Sequence, residues 1–165
     1  MAMFDVRALF AALRRGPGPR DAFERGVAAL QSGRHEAALD EFASAARDAA
    51  AAADPPAEAA AHSKRGVVLT ALGRRAEALE AFALALERDG RCAPALVNLG
   101  NLLLEDGHVL DAIDYYDAAL RADRTYPAAY RNLAVAYKRL GRRAEAVRAL
   151  RSAARLESRR PPGRA

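Results

Sequence analysis

Three histidines, one cysteine and 21 carboxylates are the residues of this chain with the greatest chemical potential. Their spacing argues against catalysis. His35, His62 and His108 are far apart, and no two share the i, i+4 spacing that puts two metal ligands on one helical face. No glycine-rich phosphate loop and no nucleophile motif is present. Cys92 stands alone, so it has no intramolecular disulfide partner, and it reads as a small packing residue. The carboxylates read as solvating faces. The expectation is a protein that is not an enzyme, with no catalytic residue, no cofactor and no metal.

What remains is recognition by charge and hydrogen bonding. The net charge is +5, and it is unevenly placed. Residues 1–20 carry Arg7, Arg14, Arg15 and Arg20 against Asp5; residues 155–165 carry Arg155, Arg159, Arg160 and Arg164 against Glu157. Residues 93–126 are acidic, with six Asp or Glu against Arg121 and Arg124. Residues 127–154 are basic, with seven Lys or Arg against Glu145. Aromatic content is 6%, too sparse to interleave a basic patch for base stacking, so nucleic acid is a poor partner. The arginine and alanine bias points to a GC-rich bacterial genome.

These residues must be carried by helices. Hydrophobic content is 52%, about half of it alanine, the best helix former. A glycine-centred phrase recurs: GRHEAAL from Gly33, GRRAEAL from Gly73, GHVLDAI from Gly107 and GRRAEAV from Gly141. The last two spacings are 34 residues and the first is 40. A fixed period of this length means stacked copies of one supersecondary unit. Each copy reads as two antiparallel helices with glycine in the turn. Leu96, Leu99 and Leu103 stripe one helix; Ala112, Ile113, Tyr116 and Ala119 stripe the next, which Asp111 caps or opens. In the fourth copy Tyr130, Leu133 and Tyr137 precede Gly141, and Ala146, Leu150 and Ala153 follow it. The alanine run at 49–53 should lengthen the second helix, Pro55-Pro56 should end it, and the six extra residues should form a longer connection.

Residues 1–15 read as an N-terminal amphipathic helix, with Met3, Phe4, Val6, Leu9, Phe10 and Leu13 on one face. GPGP at 16–19 reads as a linker and 158–165 as a disordered basic tail. No run of about 20 apolar residues and no secretory signal is present, which sets the cytoplasm as the expected compartment.

The phrases resemble the tetratricopeptide repeat family. Its pattern is matched by Leu96, Leu99, Gly100, Leu103, Ala112 and Tyr116, and by Tyr130, Leu133, Ala134, Tyr137, Ala146 and Leu150. His62, Gly66, Leu69, Ala78 and Phe82 give a second copy; Gly26, Ala38 and Phe42 give the weakest. The repeats fall at about 20–52, 59–92, 93–126 and 127–157. Arg25 and Arg65 stand where the family has leucine, so the first two copies should pack less well.

The resemblance implies an all-α, right-handed superhelical array of about four helix pairs. It also implies a scaffold or adaptor whose first helices line a concave peptide-binding groove. On this chain the groove residues would be Lys64, Val67, Val97, Asn98, Asn101, Arg131, Asn132, Val135, Lys138 and Arg139, flanked by Phe23, Glu24, Val27, Thr70 and Glu105. Asparagine pairs with a peptide backbone whatever its sequence, and the cations favour an acidic segment of a protein partner. The alternative is a homo-oligomer that assembles through the N-terminal helix or through the complementary charges of copies three and four. Contact of residues 3–14 with a membrane surface is a lesser possibility.

Overall fold

The computed structural model describes residues 19–159. The expected N-terminal helix lies outside them, as do most of the expected linker and tail. Within them the chain forms eight helices and no strand. These are α1 Pro19–Gln31, α2 His35–Ala51, α3 Pro55–Ala71, α4 Arg75–Arg88, α5 Ala93–Glu105, α6 Val109–Ala122, α7 Pro127–Arg139 and α8 Arg143–Ser158. They pair as α1/α2, α3/α4, α5/α6 and α7/α8, four antiparallel pairs stacked into a solenoid. Pro19 opens α1 instead of closing a linker.

Proline and glycine set the helix ends. Pro94 and Pro127 sit in the first turns of α5 and α7, where a missing donor costs little. Gly107 ends α5 with φ 86°. Its N–H bonds the Leu104 carbonyl at 3.2 Å, and the His108 N–H bonds that of Leu103 at 2.9 Å. That is a Schellman closure, which needs a left-handed residue at its corner. Gly33, Gly73 and Gly141 close α1, α3 and α7 in the same way. The second helix of the third pair starts at Val109, capped by His108 with no side-chain bond, so Asp111 sits in the first turn and is not the cap. There its charge favours the positive end of the helix dipole.

The 40-residue spacing has a different origin from the one expected. Pro55 and Pro56 start α3 instead of ending α2; both sit in its first turn behind Asp54, whose side chain accepts from the Ala57 N–H at 3.1 Å. Helices α2 and α3 have 17 residues each, against 14 for α4 and 13 for α5. The connection 52–54 is one residue shorter than 89–92. Three residues gained in α2, four in α3 and one lost between them make the six. Proline is cheap in a first turn, and the alanine run meets no obstacle until Ala52.

Packing rests on a ring set against a glycine. Phe42, Phe82 and Tyr116 are the largest fully buried side chains. Each lies on the helix facing it at Gly26, Gly66 or Gly100, and a Cβ added to those glycines would sit 2.7, 2.4 or 2.6 Å from the ring. Burying each ring contributes about 3 kcal/mol. The fourth pair uses the smaller set Ala134 and Leu150 at those places, and Leu150 is 52% exposed.

Arg25 does not spoil the first pair. It reaches across to Glu41 on α2 in two-point fashion, Nε to Oε1 at 2.9 Å and Nη2 to Oε2 at 2.7 Å.

Candidate functional site

The stacking defines one face. Successive first helices touch, α1 with α3, α3 with α5 and α5 with α7, whereas the second helices do not touch one another. The array therefore curves with its first helices on the inside. Ala57 and Ala60 of α3 line a pocket of about 280 Å³ with Arg20, Phe23 and Glu24 of α1. Lys64 and Val67 continue that stripe at helical spacing along α3. Farther along, the Asn132 Nδ2 donates to the Asn101 Oδ1 at 2.6 Å and ties α7 to α5.

The expected groove residues divide into three groups. Val97 is 3% exposed and belongs to the core, so it has no surface to offer a ligand. A second group is already engaged. Asn101 Oδ1 accepts from Asn132 and also from the Tyr116 hydroxyl at 2.9 Å, which fills both lone pairs. That hydroxyl is buried, and burial pushes its pKa up to about 12, so it stays a donor. Arg131 pairs with Glu157 of α8, and Arg139 donates to the Leu104 carbonyl at the end of α5.

The third group is free. The side chains of Lys64, Asn98 and Lys138 make no hydrogen bond or ion pair among the described residues. Val67 is half-buried against the core and Val135 is 47% exposed. Asn101 Nδ2 and Asn132 Oδ1 keep one spare donor and one spare acceptor. The face thus offers two unpaired ammonium groups, three amides and apolar patches between them. That set suits the amides and carboxylates of an extended peptide.

A family model described as tetratricopeptide repeat matches residues 103–161. The PilF structure of Pseudomonas aeruginosa superposes with a TM-score of 0.72 at 26% identity, over 87% of this chain and 63% of that one. The chain resembles tetratricopeptide repeat proteins, in sequence over residues 103–161 and in fold over most of its length. YrrB, described as a tetratricopeptide repeat protein with an unusual peptide-binding site, superposes with a TM-score of 0.59 at 21% identity, over 86% of this repeat chain and 70% of that one. Among curated proteins, a probable UDP-N-acetylglucosamine–peptide N-acetylglucosaminyltransferase, SPINDLY of Hordeum vulgare, is 34% identical over 77 residues. Those residues are 47% of this repeat protein and 8% of the barley protein.

Other side chains of this repeat protein bear on the face. Phe23, expected on it, sets its ring edge-on to Phe42 with centroids 5.4 Å apart. Glu105 is held by Arg75, which also pairs with Asp106 at 2.7 Å and donates to the Leu102 carbonyl at 2.8 Å. Arg75 lies on a second helix, where the groove pattern gave no reason to look. The only hint was the acidic pair Glu105-Asp106 at the end of the helix it reaches. Cys92 is 7% exposed and burial pushes its thiol pKa up, in keeping with a packing role. No helix among the described residues is long and apolar enough to cross a membrane.

Proposed function

We propose that this protein is a non-enzymatic interaction scaffold that holds a peptide segment of a protein partner on the face lined by α1, α3, α5 and α7. The observation that carries the reading is that the side chains of Lys64, Asn98 and Lys138 point no hydrogen-bonding group at another described residue, although neighbours on the same face are tied up. Half-burying Lys64 and Asn98 without a partner costs free energy, which a ligand would recover. The two lysines favour an acidic segment. The description of YrrB, a relative in fold, supports a peptide as ligand. Neighbours of this fold and the dispersed histidines support a role without catalysis, and the cytoplasm is the compartment proposed for it.

The test is a variant combining Lys64→Glu, Asn98→Ala and Lys138→Glu. A protein captured and crosslinked by the wild-type chain should be lost, with the circular dichroism spectrum unchanged. Capture at wild-type level by the folded variant would sink the groove reading.

Self-association is the second reading. Leu140, Val147 and Leu150 leave an exposed apolar strip at the end of the array, which a second copy would cover.

A further inference from the structure

The register of the repeats sets Arg25 and Arg65 at matching places. Each immediately precedes the glycine that receives a ring, Gly26 against Phe42 and Gly66 against Phe82. In the first pair the residue before Phe42 is Glu41, which takes the Arg25 guanidinium in two-point fashion. In the second pair the residue before Phe82 is Ala81, buried and uncharged. Helix α4 therefore offers Arg65 no counter-ion at that place. Arg65 Nε is buried and has no hydrogen-bond partner. One turn back on α3, His62 Nδ1 is in the same condition.

Both side chains line a pocket of about 360 Å³ between α2 and α3. The α2 wall is alanine apart from Arg47. Glu58 is the one carboxylate of the lining, and it is committed to Arg88, whose Nε lies 3.0 Å away, and to His62 Nε2 at 3.7 Å. Glu77, on α4, is likewise taken by Arg74 at 2.6 and 2.7 Å. Glu58, His62 and Arg65 follow one helical stripe of α3, on the side away from Ala60, Lys64 and Val67. The pocket is thus separate from the groove, and either site can fail alone.

We propose that this pocket binds a carboxylate, the acidic side chain of a protein partner, between Arg65 and Arg47. The ligand carboxylate takes the part that Glu41 plays for Arg25 in the preceding repeat. A planar guanidinium recognises a carboxylate at two points, and removing the buried donor from its unpartnered state adds to the gain. The Glu58 charge at the rim favours a monoanion over a phosphate dianion.

Nuclear magnetic resonance of the arginine Nε–Hε groups in the full chain tests this directly. The probe is the acidic peptide acetyl-Glu-Glu-amide. The Arg65 signal should shift and saturate, while that of Arg25, already paired, stays put. Arg65→Leu should keep the fold, since Leu99 and Leu133 occupy the matching places, and should weaken peptide binding about tenfold or more. Ala81→Glu, in the register of Glu41, should quench the titration from within; Arg65→Gln, an uncharged polar variant, covers the case that either change disturbs folding. An Arg65 signal that the peptide leaves unmoved overturns the proposal. So does equal binding by the wild type and a folded Arg65 variant. Inorganic phosphate is the control, and a shift at lower phosphate than peptide concentration overturns the carboxylate assignment.

Discussion

The unit of construction is a ring facing a missing side chain. Gly66 meets Phe82 so closely that an added Cβ would lie 2.4 Å from the ring. Phe82 is 1% exposed and has no direction in which to yield. For Gly66→Ala, helix propensity gains about 1 kcal/mol and overpacking costs about 1–3 kcal/mol. The expected net is a loss of up to about 2 kcal/mol by urea unfolding. The fourth pair carries the smaller combination at those positions, Ala134 with an outward-lying Leu150. Adding Phe82→Leu to Gly66→Ala should therefore recover part of the loss, with a coupling of about 1 kcal/mol in a double-mutant cycle. Additive losses would mean that the ring and the glycine are not one unit. This complementarity was legible in the sequence as a recurring small-then-aromatic spacing. The partners of single polar groups were not: no spacing rule says that Asn101 would spend its oxygen on Tyr116 and Asn132, because that bond depends on how two successive pairs lean together.

At the scale of the element, the helices follow from composition, and the surprise lies between α2 and α3. Alanine and proline were both visible, but proline stops a helix that precedes it and starts one that follows it, and the sequence alone does not choose. The choice was made by a turn without glycine. Ala53 has φ 52°, and its N–H and that of Asp54 bond the Ala50 and Ala49 carbonyls at 3.1 and 3.0 Å. This is the closure that glycine makes at the end of every first helix, here made by an alanine at a cost of about 1–2 kcal/mol. Ala53→Gly should relieve that strain and lose about 0.5–1 kcal/mol to the greater freedom of the unfolded chain. The expected result is a net gain of about 0.5 kcal/mol, read as a rise in Tm of about 1–2 °C. A fall in Tm would show that the unfolded chain, not the left-handed alanine, dominates at this corner.

For the whole molecule, stability should grade along the stack, because each helix of a solenoid is held only by its neighbours. Helix α6 packs on both α5 and α7, whereas α8 packs on α7 alone among the described residues. Its buried side chains are three alanines, Ala146, Ala149 and Ala153, while Val147 and Leu150 stay in solvent. The smaller core of the fourth pair was readable from the loss of its aromatic. That its last helix would leave Val147 and Leu150 outward follows from its packing on α7 alone among the described residues. Amide hydrogen exchange should therefore find α8 opening first, well before α6. The same experiment separates the two functional readings at the level of the assembly. In a monomeric scaffold, α8 protection is independent of protein concentration. If a second copy covers Val147 and Leu150, protection of α8 rises with concentration, light scattering shows the larger mass, and Leu150→Glu abolishes both. Exchange in α8 as slow as in α6 at a concentration where the chain is monomeric would contradict nearest-neighbour grading itself. It would mean that residues outside 19–159 pack on this helix in the same chain.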